Sequence, residues 1–239
     1  MPTFVLVPGA CHGGWCFDAI AAPLRDLGHR VHAVTLTGLD PGGQAPDSTV
    51  NLETHIDDLL RMLAAESVEE AVLVGHSYGG MVVTGAADRA PGRVDALVYL
   101  DAFVPRDGES CWMLTNDDQR EWYMDVGETG YLVPALRFFE ERARPHPLLQ
   151  RIRLAGDLTR FRRRDHVYAE RWEGESPFAP TYGRLMDDPL WHVHGLDGRH
   201  NLMRDAPEEL VRILVAAAQR EAEDAGSNRL VRLRDQVAR

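Results

Sequence analysis

Lysine is absent from this 239-residue chain, and all 26 basic side chains are arginine. They are set against 37 carboxylates, for a formal charge of −11. A chain of that sign is a poor partner for polyanions, so nucleic acid is not expected to bind and an anionic membrane surface fits little better. Without lysine there is no G-x-x-x-x-G-K-[ST] phosphate loop, and no G-x-G-x-x-G string occurs either. Cysteine is scarce. Cys11, Cys16 and Cys111 make neither an even disulfide set nor a C-x-x-C metal pair, so the thiols are expected to be reduced. No uninterrupted apolar run approaches the roughly 18–20 residues that span a bilayer, and the N-terminal MPTFVLVPGA lacks a basic leader before its short apolar stretch. A cytoplasmic protein acting on a small molecule is the expectation, without a cofactor or metal. A homodimer is compatible with the sequence.

What is present is an alternation of short β-rich apolar runs with longer segments of helical period, the pattern of parallel strands joined by crossover helices. Strands are expected over residues 3–7, 31–36, 71–74, 94–100, 166–169 and 190–194. Helices are expected over 15–27, 51–65, 78–89, 179–186 and 207–220. The fold class is therefore α/β, with a mostly parallel central sheet and helices on both faces. A length of 239 residues suits a single domain. Residues 106–164 are polar, aromatic and helical in patches, and read as a small inserted helical cap. Residues 221–239 read as a linker and charged tail.

The most informative string is Gly75-His76-Ser77-Tyr78-Gly79, a G-x-S-x-G pentapeptide between a buried strand and a helix. A serine at the top of such a turn adopts a strained backbone, and the residues two before and two after it must be small for the chain to pass itself. Gly75 and Gly79 meet that need. The turn aims the Ser77 hydroxyl outward, and the following helix offers its N-terminus and the Tyr78 amide to a developing oxyanion. Ser77 is thus the nucleophile candidate.

Serine at its ordinary pKa is a poor nucleophile, so an imidazole must take its proton and a carboxylate must orient that imidazole. The chain order for this arrangement is serine, acid, histidine. Of ten histidines, only His200 lies in a loop between the last expected strand and the last helix. His76 and His12 read as locally packed or locally bonded loop residues. His192 and His194 share one strand face, but no third metal ligand stands at suggestive spacing. For the acid, Asp101 ends the strand 94–100, and Glu170, Glu173 and Glu175 follow the strand 166–169. Asp101 is preferred, because a carboxylate at the end of a buried strand needs a cationic or donor partner.

With these pieces in place, the sequence resembles the small α/β-hydrolases that include plant methylesterases, hydroxynitrile lyases and related bacterial esterases. Residues 4–15, FVLVPGACHGGW, are similar to their first strand and oxyanion loop, commonly FVLVHGACHGGW. The elbow Val74 to Met81 and the segment 198–209 resemble their elbow and their histidine loop with its last helix. The resemblance implies an α/β-hydrolase fold and an oxyanion hole formed by donors at Ala10 and Tyr78. Two departures stand out. Pro8 replaces the usual histidine, and Trp172 stands where the usual acid of the family would fall. Bacterial relatives with a YLDAFVP-like segment resemble residues 99–105, which favours Asp101.

The resemblance implies a serine carboxylesterase acting on a small or medium apolar ester through an acyl-enzyme. The related lyases use a threonine and a lysine where this chain has Gly9 and Asn201. A tailoring lyase, cyclase or thioesterase using the same triad remains open, as does a non-catalytic receptor. Substrate choice is expected to lie in residues 106–164, where Trp112, Trp122, Tyr123, Tyr131, Phe138 and Phe139 form either an apolar binding surface or ordinary core. The run Arg160, Arg162, Arg163 and Arg164 could attract an anion or simply face solvent.

Overall fold

A computed structural model describes residues 2–147 and 150–219. Six strands form one parallel sheet in the order β2-β1-β3-β4-β5-β6. They are β1 (Thr3–Val7), β2 (Arg30–Ala33), β3 (Ala71–His76), β4 (Val94–Leu100), β5 (Arg163–Ala169) and β6 (His192–Leu196). The helices are α1 (Asp18–Asp26), α2 (Leu52–Ala65), α3 (Gly79–Arg89), α4 (Cys111–Leu114), α5 (Asp117–Met124), α6 (Ala179–Met186), α7 (Leu202–Asp205) and α8 (Pro207–Ala218). Among the described residues no helix is long and apolar enough to cross a membrane.

Side chains alternate across a strand, and that period of two divides the core. Val5 and Val7 of β1, Leu73 of β3, and Leu97 and Tyr99 of β4 pack on the face covered by α2 and α3. Phe4, Leu6, Val72, Val74, Ala96, Val98 and Leu100 pack on the opposite face, against Ile20 and Leu24 of α1 and Leu210 and Leu214 of α8. Sequence periodicity therefore serves both faces at once, because a doubly covered strand reads as a continuous apolar run. The N-terminus of α2 is closed by a capping box in which Asn51 accepts from Thr54 N–H and Thr54 Oγ1 accepts from Asn51 N–H. Such a cap is worth about 1 kcal/mol.

Several boundaries differ from expectation. β2 ends at Ala33, three residues early, and β6 begins at His192, two late. β5 begins at Arg163, so Arg163 and Arg164 belong to the sheet and not to the preceding insertion. Between β4 and β5 the described residues add no strand to the sheet and carry α4, α5 and short turns, with an isolated bridge between Val133 and His146. The expected charged tail and the last residue of the expected final helix lie outside the described residues.

Strand register sets the stage for the site. Val7 pairs with Gly75, His76 with Leu100, Leu100 with Val167, and Val167 with His194. The C-terminal ends of five strands are thereby brought level, and the loops that follow them emerge along one edge. In parallel α/β sheets that edge is where ligands bind.

Candidate active site

Ser77 follows β3 directly with φ at +51°, in the left-handed region that side-chain-bearing residues avoid. Holding a residue there costs about 1–3 kcal/mol and requires the surroundings to dictate it. They do so through backbone bonds, since Ser77 N–H donates to Leu100 O at 3.2 Å and Phe103 N–H donates to Ser77 O at 3.2 Å. Close approach explains the flanking glycines. A Cβ on Gly75 would stand 2.7 Å from the Gly79 backbone, and one on Gly79 would collide with the carbonyl oxygen of Val7. Tyr78 caps α3 and anchors it from below. Its hydroxyl donates to His55 Nδ1 at 2.9 Å, and His55 Nε2–H donates to Thr37 O at 3.1 Å. Burial lowers the His55 pKa and raises that of Tyr78 well above its ordinary value, so both groups stay neutral.

One strand further along, Asp101 follows β4 with φ at +42° and is fully buried. An isolated carboxylate there would cost several kcal/mol in lost hydration, so it needs donors. It has three. Ala169 N–H reaches Oδ1 at 3.2 Å, while Oδ2 accepts from Trp172 Nε1–H at 2.8 Å and from His200 Nδ1–H at 2.7 Å. His200 stands in the loop between β6 and α7, with its ring stacked on Phe178 at 5.4 Å and against Trp172 at 5.0 Å. Commitment of Nδ1 to the carboxylate leaves Nε2 as the nitrogen for chemistry.

The structure thus joins Asp101 to His200 and keeps the other acids away. Glu170 and Glu173 are exposed, and Glu175 uses its main-chain carbonyl to receive Asn116 Nδ2. The arginine run is occupied elsewhere: Arg160 pairs with Asp88, Arg162 with Asp95 and Arg163 with Asp165, while Arg164 is buried near the Trp191 ring. His194 also binds Asp165, and His192 is exposed, so the two strand histidines do not converge. Of the aromatic set, Tyr123 is buried, whereas Phe138 is 80% exposed.

Ala10 lies in the loop after β1. A Cβ on its neighbour Gly9 would stand 2.9 Å from Ser77 Cβ, which places this loop directly against the elbow. Among the described residues neither Ala10 N–H nor Tyr78 N–H donates to a protein acceptor, whereas Cys11 N–H and His12 N–H both do. Two free donors beside a serine can receive an oxyanion.

Sequence reasoning missed two contributors. His76 was expected to bond locally, yet its Nε2–H donates to the His200 main-chain oxygen at 3.0 Å, across 124 residues. Burial and the nearby His200 ring hold the His76 pKa well below its ordinary value, so it braces the loop as a neutral ring. Trp172, noticed only as a departure, is a donor to the acid. Its place in the loop that usually supplies that acid was the available signal.

The model of the alpha/beta hydrolase family matches residues 4–238. A carbendazim hydrolyzing esterase from Nocardioides sp. (strain SG-4G) is 37% identical over 90% of this chain and 99% of its own length. Methylesterase 2 of Arabidopsis thaliana is 38% identical over 43% of this chain and 40% of its own length. Among solved structures, an extracellular alpha/beta-hydrolase from a Paenibacillus species superposes with a TM-score of 0.77 at 20% identity, covering 92% of this chain and all of that one.

Proposed function

The chain belongs to the alpha/beta hydrolase family, and from that premise we propose that it hydrolyses carboxylic esters with Ser77 as nucleophile, His200 as general base and Asp101 as the orienting acid. The observation that carries the assignment is the 2.7 Å hydrogen bond from His200 Nδ1 to the buried Asp101 carboxylate, at the sheet edge where Ser77 sits strained in its elbow. Further support comes from a relative, matched over 99% of its own length, that is described as an esterase.

In this reading His200 Nε2 takes the proton of Ser77 as Oγ attacks the ester carbonyl. Negative charge develops on the carbonyl oxygen, and the amides of Ala10 and Tyr78 receive it. One such donor is typically worth about 10²–10³ in rate. The imidazolium formed on His200 is stabilised by the Asp101 carboxylate that accepts from its Nδ1–H. Collapse returns the proton from Nε2 to the departing alkoxide. Water, deprotonated by the same nitrogen, then clears the acyl-enzyme.

The substrate is a small or medium apolar ester, since Phe178 packs beside His200, Phe103 packs against Phe178, and Phe139 packs against His12 of the first loop. A cytoplasmic setting suits the three unpaired thiols. The test is turnover of short aryl esters combined with a fluorophosphonate probe and peptide mapping. A stoichiometric adduct on Ser77 is expected. Ester turnover that survives in a chain with no label at Ser77 would reject the assignment.

A further inference from the structure

The loop that carries Ala10 is held from a distance. Two histidines grip the single peptide plane between Ala10 and Cys11. At one end His12 Nδ1–H donates to Ala10 O at 2.7 Å. At the other end Cys11 N–H donates to His146 Nδ1 at 3.3 Å, from a residue 135 positions away. Carbonyl oxygens only accept and amide N–H groups only donate, so the two rings carry opposite tautomers: His12 has its proton on Nδ1 and His146 on Nε2.

His146 is rigidly placed for this task. It is fully buried, and its main chain exchanges both hydrogen bonds with Val133 at 2.9 Å. Its ring stands edge-on to Tyr78 at 4.3 Å and beside His55 at 5.2 Å. Two residues earlier, Arg144 N–H donates to Cys11 O at 2.9 Å, so the same segment holds both polar groups of Cys11. Cys11 has φ at +67°, a conformation that a residue with a side chain does not keep without such restraint. Burial pushes the Cys11 thiol up to about 12, so it is no nucleophile competing with Ser77.

We propose that His146 is a positioning residue for the oxyanion hole: by accepting from Cys11 N–H it fixes the 10–11 peptide and so aims the adjacent Ala10 N–H at the developing charge beside Ser77. The inference rests on the serine-hydrolase reading. It differs from a packing role because the ring nitrogen, and not merely the ring, is required. It also links the insertion between β4 and β5 to the chemistry, through a residue that touches the oxyanion loop.

The test compares His146→Phe, which keeps a buried ring but removes the acceptor, with His146→Asn, whose side-chain oxygen can take the place of Nδ1. Thermal midpoints are recorded alongside kcat, KM and the rate of Ser77 phosphonylation by a fluorophosphonate. His146→Phe is expected to lower kcat and the phosphonylation rate together by about 10- to 100-fold, part of the full value of one oxyanion donor, with KM within about twofold. His146→Asn is expected to recover most of that loss even where its midpoint is no higher than that of the phenylalanine variant. Phosphonylation of His146→Phe at the parent rate would overturn the inference alone, and so would equal losses in the two variants. An unlabelled Ser77 in the parent would overturn the serine-hydrolase reading and this inference with it.

Discussion

Trp172 and His200 donate to the same oxygen of Asp101, at 2.8 and 2.7 Å. Trp172 stands where the resemblance to the family places an acid, and it donates instead to a carboxylate that follows the preceding strand of the sheet. In the proposed reaction, Asp101→Asn should lower kcat on the order of 10⁴, because an amide there favours the wrong imidazole tautomer. Trp172→Phe should lower kcat about tenfold, as one charge-assisted hydrogen bond is lost. Glu170→Gln and Glu173→Gln should leave steady-state ester kinetics unchanged. A large loss in either glutamate variant, with Asp101→Asn near normal, would move the acid to the other loop.

Removal of the proposed nucleophile should be more severe. Ser77→Ala is expected to reduce kcat by ~10⁴–10⁶ while leaving the fold intact, since the strained backbone is held by bonds to Leu100 and Phe103 that alanine keeps. Single-turnover assays with an aryl ester, beside a circular dichroism spectrum, check both halves of the statement.

The elbow also predicts a stability defect. In Gly79→Ala the new methyl group meets the Val7 carbonyl oxygen, which belongs to a central strand and cannot step aside. A loss of about 1–3 kcal/mol is expected from this overpacking. Urea unfolding measures it, and a midpoint equal to that of the parent would show that the elbow has more room than the structure implies.

Four buried histidines make the fold sensitive to acid. His55, His76, His146 and His166 all have pKa values lowered by burial, with His166 down to about 4. In the unfolded chain each returns to an ordinary value near 6.5. Between these limits the unfolded state binds more protons, so stability is complete above pH ~6.5 and is lost as pH falls towards 4. His166 alone accounts for about 3 kcal/mol across that window, at 1.36 kcal/mol per unit. Thermal midpoints from pH 8 to pH 4.5 should therefore decline below 6.5, and His166→Phe should flatten the decline. A midpoint that holds constant down to pH 4.5 would contradict this account.

Local sequence was sufficient wherever one short segment determines its own geometry. The apolar runs of β1 and β4 and the span of α6 were legible to the residue, because strand burial and helical period leave their mark within ten residues. Gly75, Ser77 and Gly79 announced a tight turn for the same reason, and the order of Ser77, Asp101 and His200 along the chain narrowed the histidines to one. What only the tertiary structure decided was which distant groups meet. Asp101 and Glu173 are both carboxylates in loops after strands, and the local sequence favoured Asp101 without fixing its partner; the level ends of β4, β5 and β6 bring the first to His200 and leave the second in solvent. The roles of His76, Trp172 and His146 were hidden for the same cause. Each rests on a hydrogen bond across at least 71 residues, and a bond of that kind exists only once the sheet has set its register.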